Sequence, residues 1–249
     1  MENSNSTSND HNESIVISKD TIRRLVKDIK DLKKNPLNDD GIFYIHDDTN
    51  MMKGYAMIIG PKDSMYYGGY YFFEFHFPCD YPYSPPKVVY CTNDGVTRFH
   101  PNLYKNGKVC LSILNTWRGE SWSSCQTIRT ILLILLTILD NKPLLHEPGF
   151  SEKSNDFNPY NQLIFYKNVE FSILRTISKN ASSYFPGLFL NLFGDIIKET
   201  FENNKHHLYD NIKKYENDGE TKILVSCYRM NHTINWSKIC ELFKKEYIK

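Results

Sequence analysis

"GGYYFFEFHFPCDYPYSPPKVVYC" occupies Gly68 to Cys91, and its reading decides how the first half of the chain is built. The part "GGYYFFEFHFP" opens on a glycine pair, a turn signal, and continues as an extended segment rich in aromatics. "CDYPYSPPKV" holds too many prolines for a sheet interior, because each removes a ladder donor; it reads as a stiff loop lying against the strands. "PKVVYC" resumes extended backbone. Upstream, "GIFYIHDD" and "KGYAMIIGP" are two further segments of this kind, punctuated by Asp47-Asp48 and Gly60-Pro61. Four closely spaced strands with short connections predict an antiparallel meander.

Helices flank this meander. From Lys19 onward, Ile22, Leu25, Val26, Ile29 and Leu32 recur at three- and four-residue spacing until Asn35-Pro36 stops the pattern. Arg23, Lys27 and Lys30 fall away from that apolar stripe and predict a basic face toward solvent or a partner. "ILLILLTIL", Ile131 to Leu139, is the most apolar run, yet it is too short to span a membrane; it predicts a core helix from about Gln126 to Asn141. Tyr160 to Ser178 and Gly187 to Phe201 read as further helices, "TKILVSCYRM" as strand or helix, and "NWSKICELFKKEYI" as a terminal helix. The order predicts an α+β fold with the helices gathered on one side of the sheet. The polar first fourteen residues have almost nothing to bury and predict disorder.

At 249 residues, 41% hydrophobic, the chain can bury one substantial core. Lys+Arg 30 against Asp+Glu 29 leaves a net charge of +1, so bulk charge gives no reason to expect nucleic acid or a membrane as partner. Cys79, Cys91, Cys110, Cys125, Cys227 and Cys240 contain no Cys-x-x-Cys pair, which sets aside zinc-ribbon and thioredoxin readings. The polar start has no secretory h-region, and free thiols in a reducing compartment, cytoplasm or nucleus, are the expectation.

The chemistry is concentrated in "HPNLYKNGKVCLSIL", His100 to Leu114. Val109, Leu111 and Ile113 alternate with Lys108, Cys110 and Ser112, so extended backbone would put Cys110 on the outer face with lysine and serine. That predicts an accessible thiol rather than an inert core cysteine. A free thiol is a few per cent thiolate at neutral pH, sufficient to attack a thioester, where one sulfur replaces another. A cysteine hydrolase would need a histidine activated beside the thiol, and nothing in the sequence announces one. Asn102 supplies an amide donor for the negative oxygen that forms when an amine attacks a thioester, or else orders its own loop; the two roles can coexist.

With these residues in view, the sequence resembles the ubiquitin-conjugating enzymes. "HPN" precedes "GKVCL" at that family's spacing, "FPCDYPYSPPKV" is similar to its proline loop, and a tryptophan and a long apolar helix follow the cysteine. "GKVCLSIL", "TWRGESWSSCQTI" and "EPGF" resemble the larger members with a C-terminal extension, such as the one charged by the alternative ubiquitin-activating enzyme. The implied architecture is an N-terminal helix, a four-stranded antiparallel meander and helices, with a conjugating core over 15–180, a disordered tail over 1–14 and a mostly helical extension over 181–249.

The resemblance implies that Cys110 bears the modifier as a thioester, that Asn102 stabilises the oxyanion or orders the loop, and that His100 and Pro101 shape it. Glu147, in "LLHEP", is the candidate acidic residue that positions the incoming lysine. Arg23, Arg24, Lys27 and Lys30 on the first helix are expected to meet the activating enzyme. Tyr83, Ser123 and Ser124 are expected to meet a RING-type ligase, although Ser124 stands where many members have proline. The implied partners are ubiquitin, its activating enzyme, a ligase and protein substrates. No metal or cofactor is implied for this chain, ATP being consumed by the activating enzyme. Ser112, where many ubiquitin enzymes have aspartate, leaves another ubiquitin-like modifier as the alternative; a noncatalytic module of the same fold is a further one.

Overall fold

Ser18 caps the first helix, its hydroxyl accepting the Thr21 N–H at 3.0 Å, and α1 runs from Lys19 to Lys34 with Leu25 and Leu32 buried. The computed structural model describes residues 17–248, so the tail expected at 1–14 lies outside the described residues. Strands β1 (Ile42–His46), β2 (Lys53–Ile59), β3 (Tyr70–His76) and β4 (Lys87–Tyr90) then pair in sequence order, all antiparallel. This is the meander that the turn signals predict.

Register sorts the sheet into two faces, because side chains alternate along each strand. Tyr44, Ala56, Phe73 and Tyr90 are cross-strand neighbours on one face. That face meets α1: Tyr81, which packs against Phe77, donates its hydroxyl to Asp28 of the helix at 2.5 Å. Helix α2 (Ile128–Thr137) joins this side with Ile131, Leu132 and Leu135 buried. It is shorter than the expected Gln126 to Asn141, and a reciprocal Thr127–Thr130 capping box fixes its start.

Tyr55 and Phe72 belong to the other face, and there the sequence expectation fails. Helix α4, Gly187–Ile212, runs well past Phe201 and buries Phe189, Phe193, Ile197 and Phe201 at four-residue spacing. Phe189 stacks on Phe72 with centroids 5.0 Å apart and meets Tyr55 edge-on at 5.8 Å, while the Tyr70 hydroxyl donates to the Ile197 carbonyl at 3.1 Å. The helices are therefore not gathered on one side: the sheet is covered on both. Each fully buried phenylalanine contributes about 1.5–3 kcal/mol, so α4 is a major source of stability.

Helix α3 (Phe157–Lys167) passes directly into a π-helical stretch, Asn168–Arg175. Buried Asn168 sits at the junction, accepting the Tyr71 hydroxyl at 2.6 Å and donating to the Tyr67 carbonyl at 3.0 Å. The ambiguous "TKILVSCYRM" resolves into a hairpin of β5 (Glu220–Val225) and β6 (Met230–Asn235), so the extension is not helical throughout. Arg229 turns the hairpin at φ +51. Helix α5 (Trp236–Tyr247) follows, with Phe243 packed against Phe201 and Tyr209. Aromatics of the extension belong to the same contiguous core as the sheet.

Candidate active site

Two backbone links define the cysteine's position. Cys110 N–H donates to the Asn102 carbonyl at 2.9 Å, and the Asn102 amide nitrogen donates back to the Cys110 carbonyl at 2.6 Å. A flipped amide would set oxygen against that carbonyl, so the contact also fixes which end of Asn102 faces the cysteine. The intervening turn closes at Gly107, whose φ of +84 needs no side chain and whose N–H reaches the Tyr104 carbonyl at 2.9 Å.

His100 is fully buried, and its Nδ1 accepts the Asn102 N–H at 3.0 Å. Desolvation, then the neighbouring His146 and Arg98, hold its pKa well below the usual histidine value. With the Nδ1 lone pair engaged and the ring neutral, His100 shapes the loop and is unsuited to activating a thiol. Pro101 is also buried beside it.

Cys110 is only 1% exposed, which corrects the expectation of an accessible thiol. The alternation rule fails because this segment is not a strand. It pairs with its neighbours through isolated bridges, Val89 with Lys108 and Leu103 with Val109, and the chain turns at Ser112–Leu114 into a single 3-10 turn. It then folds back. The Thr116 hydroxyl lies against the Val109 carbonyl at 2.9 Å and the Leu111 N–H at 2.9 Å, and Gly119 comes up against the Ser112 side chain. The returning segment thus packs along Val109–Ser112.

Glu147 ends a short turn, Pro143–His146, and is half-buried. Its neighbour His146 meets the His100 ring edge-on at 4.8 Å, so the segment that carries Glu147 packs beside the His100–Asn102 turn. Oε2 of Glu147 accepts the Tyr228 hydroxyl at 2.6 Å. Sequence reasoning missed Tyr228, Arg98 and Asp156. Arg98 donates to the carbonyls of His100 and Pro101 and lies over the Tyr104 ring at 3.3 Å. Asp156 accepts the Ser226 and Cys227 N–H groups at 2.8 Å each, fixing the hairpin turn. No local pattern announces a contact that joins residues 81 apart in sequence, as Glu147 and Tyr228 are.

Of the residues expected to meet partners, all but one are exposed. Arg23, Lys27 and Lys30 are exposed on α1, but Arg24 is turned inward. It pairs with buried Asp28 at 2.9 Å and donates to the carbonyls of Ser124 and Gln126, so it clamps the loop before α2 instead of facing solvent. Tyr83 is 68% exposed, and Ser123 and Ser124 are exposed as well. Buried Trp122 joins the two loops, its indole N–H donating to the Pro82 carbonyl at 2.7 Å. Among the described residues no cluster of three or more His, Cys, Asp or Glu is placed to hold a metal ion, and no helix is long and apolar enough to cross a membrane.

A meander between helices, a proline loop pinned by tryptophan, and a cysteine locked to the asparagine of His-Pro-Asn together define one class of protein. The sequence model of the family described as ubiquitin-conjugating enzyme matches residues 24–172, well over half the chain, and the protein belongs to that family. Among curated relatives, the chain is 39% identical over 153 residues to the human ubiquitin-conjugating enzyme E2 Z, covering 60% of this chain and 43% of the relative. The Xenopus tropicalis E2 Z is 38% identical over 159 residues, covering 63% of this chain and 50% of the relative. A probable ubiquitin-conjugating enzyme of Acanthamoeba polyphaga mimivirus is 31% identical over 218 residues, 82% of this chain and 14% of that protein. The chain thus spans half the length, or less, of these relatives.

Proposed function

We propose that the protein carries ubiquitin as a thioester on Cys110 and passes it to a lysine amine or to a ligase. The observation that carries this reading is the reciprocal Asn102–Cys110 hydrogen bonding, 2.9 Å and 2.6 Å. It keeps an amide donor on the backbone of the reacting residue. An amide nitrogen has two hydrogens; one serves the Cys110 carbonyl and the other is left for an oxyanion.

Ubiquitin arrives by thiol exchange from an activating enzyme, whose sulfur leaves as Cys110 sulfur bonds to the carbonyl carbon. In the second step the lysine ammonium first loses a proton, and its nitrogen then attacks that carbon. The C–N bond forms, the C–S bond breaks, and Cys110 departs as thiolate while the nitrogen loses its second proton to water or Glu147. Asn102 lowers the barrier by donating to the oxygen while it is negative. Glu147 orients the amine, a proximity effect that does not require a strong base. His100, buried with Nδ1 engaged, gives water no activated route to the thioester, which favours carrying over hydrolysis. Arg23, Lys27 and Lys30 would meet the activating enzyme; Tyr83, Ser123 and Ser124 would meet a ligase. No cofactor is needed by this chain, and the setting would be the cytoplasm or nucleus.

Incubation with ubiquitin, activating enzyme and ATP tests the reading. A thiol-reducible adduct of one ubiquitin is expected for the wild type, none for Cys110→Ala, and a reduction-resistant adduct for Cys110→Lys. An adduct that persists in Cys110→Ala would sink it. Adduct formation only with another ubiquitin-like protein would move the assignment to that modifier.

A further inference from the structure

The turn of the C-terminal hairpin reaches the proposed site. Tyr228 donates its hydroxyl to Glu147 Oε2 at 2.6 Å, its carbonyl accepts the Lys105 ammonium at 3.4 Å, and its ring lies 5.1 Å from the Arg98 guanidinium. Arg98 in turn holds the carbonyls of His100 and Pro101, and Lys105 belongs to the turn between Asn102 and Cys110. One residue of the extension therefore bridges the cysteine-bearing turn and the separate segment that carries Glu147. The bridge is itself anchored: both Asp156 oxygens grip the turn's N–H groups, the Arg98 N–H meets Met230 sulfur at 3.1 Å, and Tyr160 packs on the Tyr228 ring at 5.7 Å.

We propose that Tyr228 is a positioning residue that holds Glu147 in the acceptor-lysine site, so that the hairpin is a working part of the transfer step; this rests on the reading of Cys110 as a thioester carrier. The hydrogen bond takes Oε2 and leaves Oε1 to receive the ammonium. Burial, and then the carboxylate itself, push the Tyr228 phenol well above its ordinary pKa, so it remains a donor throughout the physiological range. Without the bond, the Glu147 side chain has more rotamers to lose when lysine arrives.

The test uses the full chain. Wild type, Tyr228→Phe, Glu147→Gln and the double variant are charged with ubiquitin, charging is stopped by chelating magnesium, and free L-lysine is added over a range of concentrations. Phenylalanine keeps the ring against Arg98 and Tyr160, and the extent of charging with the melting curve reports folding. Discharge onto lysine is expected to slow about ten-fold in Tyr228→Phe, with loss of thioester to water unchanged. The double variant should be no slower than Glu147→Gln, since Tyr228 acts through Glu147. Wild-type discharge by either single variant overturns the proposal, as do single effects that multiply in the double variant. Failure of the wild type to charge would instead overturn the carrier reading beneath it.

Discussion

His100 sits in a fully buried position, its Nδ1 turned to the Asn102 N–H, and this geometry carries a pH signature. Desolvation, reinforced by His146 and Arg98, depresses its pKa in the folded protein. Desolvation also lowers His46 and His232, so the three act with the same sign. A histidine depressed by folding takes up its proton more readily when unfolded; the stability it contributes is complete above the unfolded pKa of about 6.5 and is lost as pH falls below it. Stability should therefore decline between pH 7 and 5, His100 alone contributing up to about 1.4 kcal/mol per pH unit. Urea midpoints across that range measure it. His100→Asn, which keeps an acceptor toward Asn102 but cannot titrate, should flatten the acid limb; an unchanged limb would remove His100 as its source.

Between Cys110 and α2 lies the element where local pattern misleads. Val109, Leu111 and Ile113 do alternate with Lys108, Cys110 and Ser112, but the two-residue period sorts faces only while backbone stays extended, and here it turns at Ser112. His100, Asn102 and Cys110 were legible as a group because their identities and spacing are local. The burial of Cys110 was not, because it depends on the path the chain takes after Ser112, where Thr116 folds back onto Val109 and Leu111. The strands were legible for the same local reason, Gly60-Pro61 and Gly68-Gly69 marking their ends, whereas nothing near Arg24 signals its turn inward to Ser124 and Gln126. The covered cysteine has a measurable consequence. Exposed Cys125 should be alkylated by iodoacetamide well before Cys110, while burial holds the Cys91 and Cys227 thiols up at about 12 and keeps both slow. Gly119→Ala, at φ +132 with its new carbon 3.0 Å from the Ser112 side chain, should loosen the segment by about 1–2 kcal/mol and speed Cys110 alkylation several-fold. Peptide mapping of time courses resolves each site, and an unchanged Cys110 rate would show that the returning segment is not its cover.

Across the whole molecule, the decisive feature is that one sheet has two aromatic faces. Gly187 to Phe201 reads as a helix in sequence, but a helical pattern does not say which surface the helix will cover. The structure lays Phe189 and Phe193 over Phe72 and Tyr55, and Phe185 also packs on Phe72. Truncating a buried phenylalanine costs about 3–5 kcal/mol, and a typical domain has only about 5–15 kcal/mol in total. Phe189→Ala with Phe193→Ala should therefore consume most of the stability of the chain, even though both lie beyond residue 172, where the family match ends. A chain ending at residue 186 should go further: with Tyr55 bared to water and Phe72 left with only Phe185 as cover, it should bind anilinonaphthalene sulfonate, self-associate and melt without a cooperative transition. Calorimetry with light scattering checks this. A monomeric truncated chain that still melts cooperatively would mean that the first sheet face and its helices suffice, and that α4 is fastened onto a finished domain. The continuity of the aromatic core from Phe73 through Tyr90, Phe99, Phe171 and Phe185 to Phe72 and Phe193 argues for the first outcome, in which core and extension fold as one unit.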